Sequence, residues 1–372
     1  VAKFGDERRT QIVAAEGEIV DEDLIAQEDM VVTITRGGYA KRTKADAYRA
    51  QRRGGRGVKG AALRQDDVVE HFFVTTTHHW LLFFTNKGRV YRCKAYQLPE
   101  TSRDARGQHV ANLLAFKPDE QICQVLAIED YKATPYLVLA TRGGLVKKSR
   151  LQDYENNRAG GLIAIGLREE DEVISAALVN EGDDLMLVSR KGMSVRFNAN
   201  DATLRPMGRP AAGVIGMRFR GDDDLLSMQV VAPDAYLVTV TDGGFGKRTQ
   251  LSEWNAKGRG TLGVRAMRLV EERGNLVSAL VMNVDDEIFA IASNGVVIRT
   301  RVSEIRSTGR DTMGVGLMGV GEGVQVVAVA RNQAGDEDEA DESGDLGDAS
   351  GEGATSDPSA NAEQTESAGD EQ

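Results

Sequence analysis

The chain has 372 residues, 41% of them hydrophobic and 28% charged, with two cysteines and a formal net charge of −11. Two cysteines cannot build a disulfide framework, and no apolar run approaches the roughly 18 residues of a membrane-spanning helix, which excludes a disulfide-stapled scaffold and a helical membrane protein. The charge is uneven: residues 334–372 carry fourteen Asp and Glu and no Lys or Arg, leaving 46 basic against 43 acidic residues in 1–333.

In chain order, the opening VAKFGDERRTQIV lacks the apolar core of a signal peptide, so a cytoplasmic location is expected. TQIVAAEGEIV at 10–20 precedes six versions of one phrase: an apolar strand, a turn closed by glycine, and a second strand. They read VVTITRGGYAKRT, LLFFTNKGRVYRC, YLVLATRGGLVKKS, LMLVSRKGMSVRF, YLVTVTDGGFGKRT and IFAIASNGVVIRT. Their turn glycines are Gly38, Gly88, Gly144, Gly192, Gly244 and Gly295, at intervals of 50, 56, 48, 52 and 51 residues. A unit that recurs at such a period cannot bury its own faces and packs against its copies, which points to radial repetition.

Each repeat divides into four candidate strands. The first is nearly all apolar, as a strand covered on both faces should be. Glycine or asparagine supplies positive φ for the hairpin turn. After the second strand comes a polar excursion, then a third strand such as GVIGMRF or GVRAMRL. An acidic turn (RQDD, KPDE, REEDE, RGDDD, VEERG) leads into a fourth strand such as VVEHFFVT. Residues 334–372 have no aromatic and almost no branched apolar residue, and are expected to be a disordered acidic tail.

Two features carry chemistry. Four residues past each glycine sits a cation: Arg42, Arg92, Lys148, Arg196, Arg248 and Arg299, with Lys41 and Lys247 just before two of them. A ring of blades with a ring of charge is expected to meet a polyanion. The second feature is the excursion, which in the first repeat reads Gln51-Arg52-Arg53-Gly54-Gly55-Arg56-Gly57. Arginine forks match phosphate oxygens bidentately, and glycines let backbone N–H groups approach them. Thinner versions follow around Arg106, Arg158, Arg209 and Arg310, and the fifth repeat, with Lys257 and Arg259 in KGRGTLGV, reads as a partial second copy. No zinc or calcium ligand pattern occurs, and no Walker, HExxH or GxSxG motif, so neither a metal site nor a catalytic residue is expected in this chain.

QRRGGRG, with lysine more usual at its sixth position, resembles the signature box of the C-terminal domain of the DNA gyrase A protein. The sixfold repeat, the FGDERRT opening and the acidic tail are similar to that family too. The resemblance implies an all-β, six-bladed β-pinwheel, a propeller-like disc of four-stranded blades that exchange strands with their neighbours. It implies a junction from a DNA-cleavage domain over 1–9, the pinwheel over 10–333 and the tail over 334–372. It also implies double-stranded DNA bent and wrapped on a basic rim, so that an A2B2 holoenzyme with the B subunit introduces negative supercoils. The cleavage tyrosine, ATP and Mg belong to other parts of that nucleoid-associated enzyme. Arg56 in place of lysine keeps the charge. The nearest alternative is the topoisomerase IV C-subunit domain, whose box is degraded; a protein-binding propeller would show WD or kelch signatures, which are absent.

Overall fold

A nearly all-apolar strand has to be covered on two faces, and a glycine turn has to return the chain beside it. Those two local demands generate each unit of this protein. The computed structural model describes residues 21–48, 67, 69–102, 104–156, 158, 160–294 and 296–332, and these form short strands and 3₁₀ turns with no α-helix among them. The signature segment Gln51–Gly57, the junction at 1–9 and the acidic tail lie outside the described residues.

The six phrases fold as six antiparallel hairpins. They pair Asp29–Thr35 with Tyr39–Lys44, Trp80–Thr85 with Arg89–Lys94, and Tyr136–Thr141 with Leu145–Arg150. The remaining three pair Asp184–Ser189 with Met193–Asn198, Tyr236–Thr241 with Phe245–Gln250, and Glu287–Ala292 with Val297–Arg301. Gly38, Gly144, Gly192 and Gly244 take φ values of 79°, 81°, 80° and 80°, the left-handed region that a side chain would disfavour. The residue three positions before the glycine supplies a hydroxyl that closes the turn: Thr35 accepts from the Tyr39 N–H at 3.2 Å, and Ser189 from the Met193 N–H at 3.1 Å.

An inner strand lies on the far side of each first strand: Val69–Thr76, Ile122–Ile128, Val173–Val179, Leu225–Val230, Leu276–Met282 and Val326–Asn332. Its register slips at the last residue of the first strand in all six sheets, a bulge that adds twist to the blade. The acidic turns before these strands act locally: Asp67, Asp171 and Asp223 accept from the backbone N–H groups of Gly37, Gly143 and Lys191 at 2.8, 2.8 and 2.9 Å.

In repeats two to six the third strand does not complete its own blade. It shrinks to two residues and pairs with the second strand of the preceding blade: Gln108–His109, Leu162–Ile163, Val214–Ile215, Val264–Arg265 and Val315–Gly316 add the outer strands of blades one to five. The sixth sheet has three strands among the described residues. Strand exchange locks each blade to the next, and the inner strands touch around the ring, the sixth meeting the first.

The core lies between blades. Alternate residues of each first strand face opposite neighbours, so Val32 and Ile34 pack with Leu81 and Phe83, while Leu82 and Phe84 pack with Leu137 and Leu139. The same stagger joins Val138 to Leu185, Met186 to Leu237, and Val238 to Ile288. That is why the middles of the first strands read almost wholly apolar.

Candidate nucleic-acid interface

The cations four residues past the glycines occupy one register position, opposite the middle of the first strand: Arg42 faces Val32, Arg92 faces Leu82, and Arg196 faces Met186. From there the side chains reach into the next blade. Arg42 donates from Nε to the Leu98 carbonyl at 2.9 Å and pairs with Glu100 at 2.9 Å. Arg92 lies 4.3 Å from the Trp80 ring centroid and donates to the Tyr131 hydroxyl at 2.9 Å. Lys148, fully buried, donates to the Ala199 carbonyl at 2.7 Å and to Asp201 at 2.6 Å, and lies over Tyr136. Arg196 donates to Asp184 at 2.8 Å and to the Leu251 and Trp254 carbonyls at 3.0 and 3.1 Å. Arg248 donates to the Ile305 carbonyl at 2.8 Å and stacks on Tyr236. Arg299, in the last blade, pairs with Glu287 and keeps 58% of its side chain exposed.

The expected ring of phosphate contacts is therefore corrected: five of these six cations join one blade to the next. Full or partial burial leaves Arg42, Arg92, Lys148, Arg196 and Arg248 little to offer a ligand, even where Arg92 Nε and Arg248 Nη1 have no partner, whereas Arg299 stays exposed beside its carboxylate. Lys41 and Lys247 are corrected in the same way. Both are buried; Lys41 donates to the Ala105 carbonyl at 2.8 Å, and Lys247 to the Gly309 and Arg310 carbonyls at 2.7 and 2.6 Å. Lys147, which the sequence reading passed over, holds the Ala164 carbonyl, and that of Arg209 at 2.6 Å. Buried lysines of blades one, three and five thus fasten the excursion loops of the following repeats.

These lysines carry a pH signature. Burial pulls Lys147 down to about 7 and Lys247 to about 8, from an ordinary value near 10.5. Between those limits the unfolded chain holds protons that the folded chain has released, so stability rises with pH, by up to about 1.4 kcal/mol per pH unit per lysine. Denaturant midpoints are expected to climb from pH 7 to 8, before ionisation of the unfolded thiols at about 8.5 opposes the trend. A Lys147→Met/Lys247→Met variant should flatten the climb; an unchanged slope would refute the assignment.

The free cations lie farther out. Among the described residues, Arg158, Arg205, Lys257 and Arg306 in the excursions are exposed and have no side-chain hydrogen bond or ion pair; the same holds for Arg168, Arg218 and Arg220 just past the outer strands. The first four sit on the loops leading into the outermost strands of blades two to five, and the other three follow the outermost strands of blades two and three. Of the two residues expected in the fifth repeat, Lys257 belongs to this set. Arg259 instead donates to the Thr203 and Ile215 carbonyls at 2.7 and 3.0 Å. Arg265 and Arg268 are half-exposed and share the Asp311 carboxylate. The sequence reading missed Arg168, Arg205, Arg218, Arg220, Arg265, Arg268 and Arg306; the recurring Met-Arg after the third strand (Met217-Arg218, Met267-Arg268) was the available signal.

A family model described as the DNA gyrase C-terminal domain, beta-propeller, matches residues 29–76, 79–126, 135–180, 183–232, 235–283 and 286–333, one segment per hairpin and inner strand. The DNA gyrase A protein of Streptomyces coelicolor is 59% identical over 345 residues, covering 91% of this chain and 40% of that protein. The DNA gyrase A protein of Mycobacterium tuberculosis is 56% identical over 346 residues, covering 92% and 41%. The chain thus spans about two fifths of the length of these relatives. Among solved structures, the C-terminal domain of DNA topoisomerase IV superposes with a TM-score of 0.70 at 29% identity, over 83% of this chain and 95% of that one. The DNA gyrase A C-terminal domain superposes at 0.67 with 26% identity, over 82% and 99%. Backbone likeness alone leaves gyrase and topoisomerase IV level, whereas identity with full gyrase A chains is about twice as high. On the family match and that identity, the chain belongs to the DNA gyrase A C-terminal β-propeller family.

Proposed function

We propose that this chain binds, bends and wraps duplex DNA along the outer edge of its blades. The observation that carries the reading is the run of exposed, unpaired cations along the outer strands and excursions of successive blades. Phosphates hold a protein in register without base reading, so wrapping needs no sequence preference. Repetition is required by magnitude. Half a turn around a disc of this kind, about 110 Å of duplex, costs roughly 13 kcal/mol of elastic energy at a ~500 Å persistence length, more than one blade can offset.

In this reading the chain is the wrapping part of a gyrase A protein. It acts with a DNA-cleavage domain on the same polypeptide and with a B subunit in an A2B2 enzyme of the nucleoid. ATP and Mg serve elsewhere in that assembly, and the outcome is negative supercoiling. Gln51, Arg52, Arg53, Gly54, Gly55, Arg56 and Gly57 add a glycine-rich phosphate cradle in the first repeat, and the acidic tail modulates the wrap by competing for the same cations. The test is end-to-end fluorescence transfer on a linear duplex with the full chain. Bending is expected, with log K falling against log salt at a slope near −5 if about six phosphates are neutralised. Alanine replacement of Gln51–Gly57 should remove most bending and leave weak binding. A slope flatter than about −2, or strong preference for one sequence, would count against the reading.

A further inference from the structure

The junction between the fourth and fifth blades differs from its neighbours in one respect. At each such junction the excursion of the next repeat lends a carbonyl to a backbone N–H just past an outer strand. Gly166 donates to Ala211 at 3.1 Å, Arg218 to Thr261 at 2.9 Å and Arg268 to Thr312 at 3.0 Å. These bonds put three triplets in register: Ile163, Gly166 and Pro210; Ile215, Arg218 and Gly260; Arg265, Arg268 and Asp311. Only the last combines two cations with a carboxylate.

There one oxygen of Asp311 accepts from Arg265 Nη1 at 2.8 Å and from Arg268 Nε at 3.1 Å, with all three side chains about half exposed. The loop that presents Asp311 is fastened from below. Buried Lys247 donates to the Gly309 and Arg310 carbonyls and, at 3.2 Å, to the Thr312 hydroxyl. An oxygen anion shared by two guanidinium groups reproduces the way a phosphate oxygen is held. Exposed ion pairs add little to stability, so the fold does not depend on this one.

We propose that Arg265 and Arg268 form a phosphodiester site on the outer edge of the fourth blade, and that Asp311 occupies it in the free chain as a tethered competitor. The inference rests on the duplex-binding reading above. DNA gains these two contacts only by displacing the carboxylate, so the fourth blade engages late and lets go early. The two guanidinium groups hold the Asp311 carboxyl down at about 2. The competitor is therefore charged at any pH where DNA binds, and the exchange responds to salt rather than to pH.

The experiment uses the full chain with Asp311→Asn, in the wild-type and the Arg265→Gln/Arg268→Gln backgrounds. In the first arm inorganic pyrophosphate is titrated while the Arg265 and Arg268 Nε–Hε NMR signals are followed. Asp311→Asn is expected to lower the half-saturating concentration at least threefold. In the second arm, binding to a linear duplex at 50 mM salt should tighten three- to tenfold. The salt slope should steepen by about one to two units, as one or two added phosphate contacts require. No gain is expected in the double-glutamine background, and the thermal midpoint should not move. Unchanged pyrophosphate binding, or an equal gain in both backgrounds, would overturn the inference, the latter by reducing it to net charge. A pyrophosphate shift in a chain that binds no duplex before or after substitution would uphold the site and defeat the wrapping reading instead.

Discussion

Replacing Arg196 by methionine is expected to destabilise the folded chain by about 3–5 kcal/mol, the scale for removing one partner of a buried ion pair. Methionine keeps much of the stem volume, so the loss isolates the guanidinium. Asp184, with 15% of its side chain exposed, would lose its cation at the start of its strand and keep only the Asn198 amide, which donates to it at 3.0 Å. The Trp254 carbonyl of the next blade would lose its arginine donor as well, and the Leu251 carbonyl would keep only the Trp254 N–H. Because the cores lie between blades, loosening the junction of blades four and five also relaxes the packing of Met186 against Leu237 and Trp254. Guanidinium unfolding monitored by tryptophan emission reads the change, since Trp254 sits at that junction. A loss below about 1 kcal/mol would return Arg196 to the ordinary surface cations.

The contrast between Arg196 and the outer arginines shows which parts of the sequence were legible. The hairpins were, because an apolar run and a turn glycine are local signals, and their sixfold recurrence identified the ring. The ring of cations was legible, but not that five of its six members bond across to the next blade. A residue at a fixed distance from a turn glycine sits at a fixed register position, so it meets the same structural surroundings in every blade. Constant spacing is therefore the mark of a fold device. The free cations keep no such spacing: Arg158, Arg205, Lys257 and Arg306 lie 14, 13, 13 and 11 residues past their glycines, because excursion loops differ in length. The donation of the third strand to the preceding blade was legible only through the family resemblance. Two paired residues such as Val214–Ile215 leave no periodicity to read, and their partner lies about 70 residues earlier in the chain.

Changing Arg158, Arg205, Arg218 and Arg306 together to glutamine is expected to weaken duplex binding on the order of a thousandfold at low salt while leaving the fold intact. Each is exposed and has no side-chain partner among the described residues, so their loss strands no buried group, and the stability change should stay within about 1 kcal/mol. If each neutralises one phosphate, the salt slope becomes flatter by about 3.6 units, because each contact releases close to one counterion. Glutamine keeps hydrogen-bonding capacity, which confines the effect to charge. Titrations between 50 and 200 mM salt, paired with denaturant unfolding of the same variant, separate the two classes of cation. The Arg196 variant should unfold easily yet, while folded, keep its salt slope; the fourfold variant should do the reverse. A slope change under about one unit, or a stability loss above about 2 kcal/mol, would mean that the wrapping surface lies elsewhere on the blades.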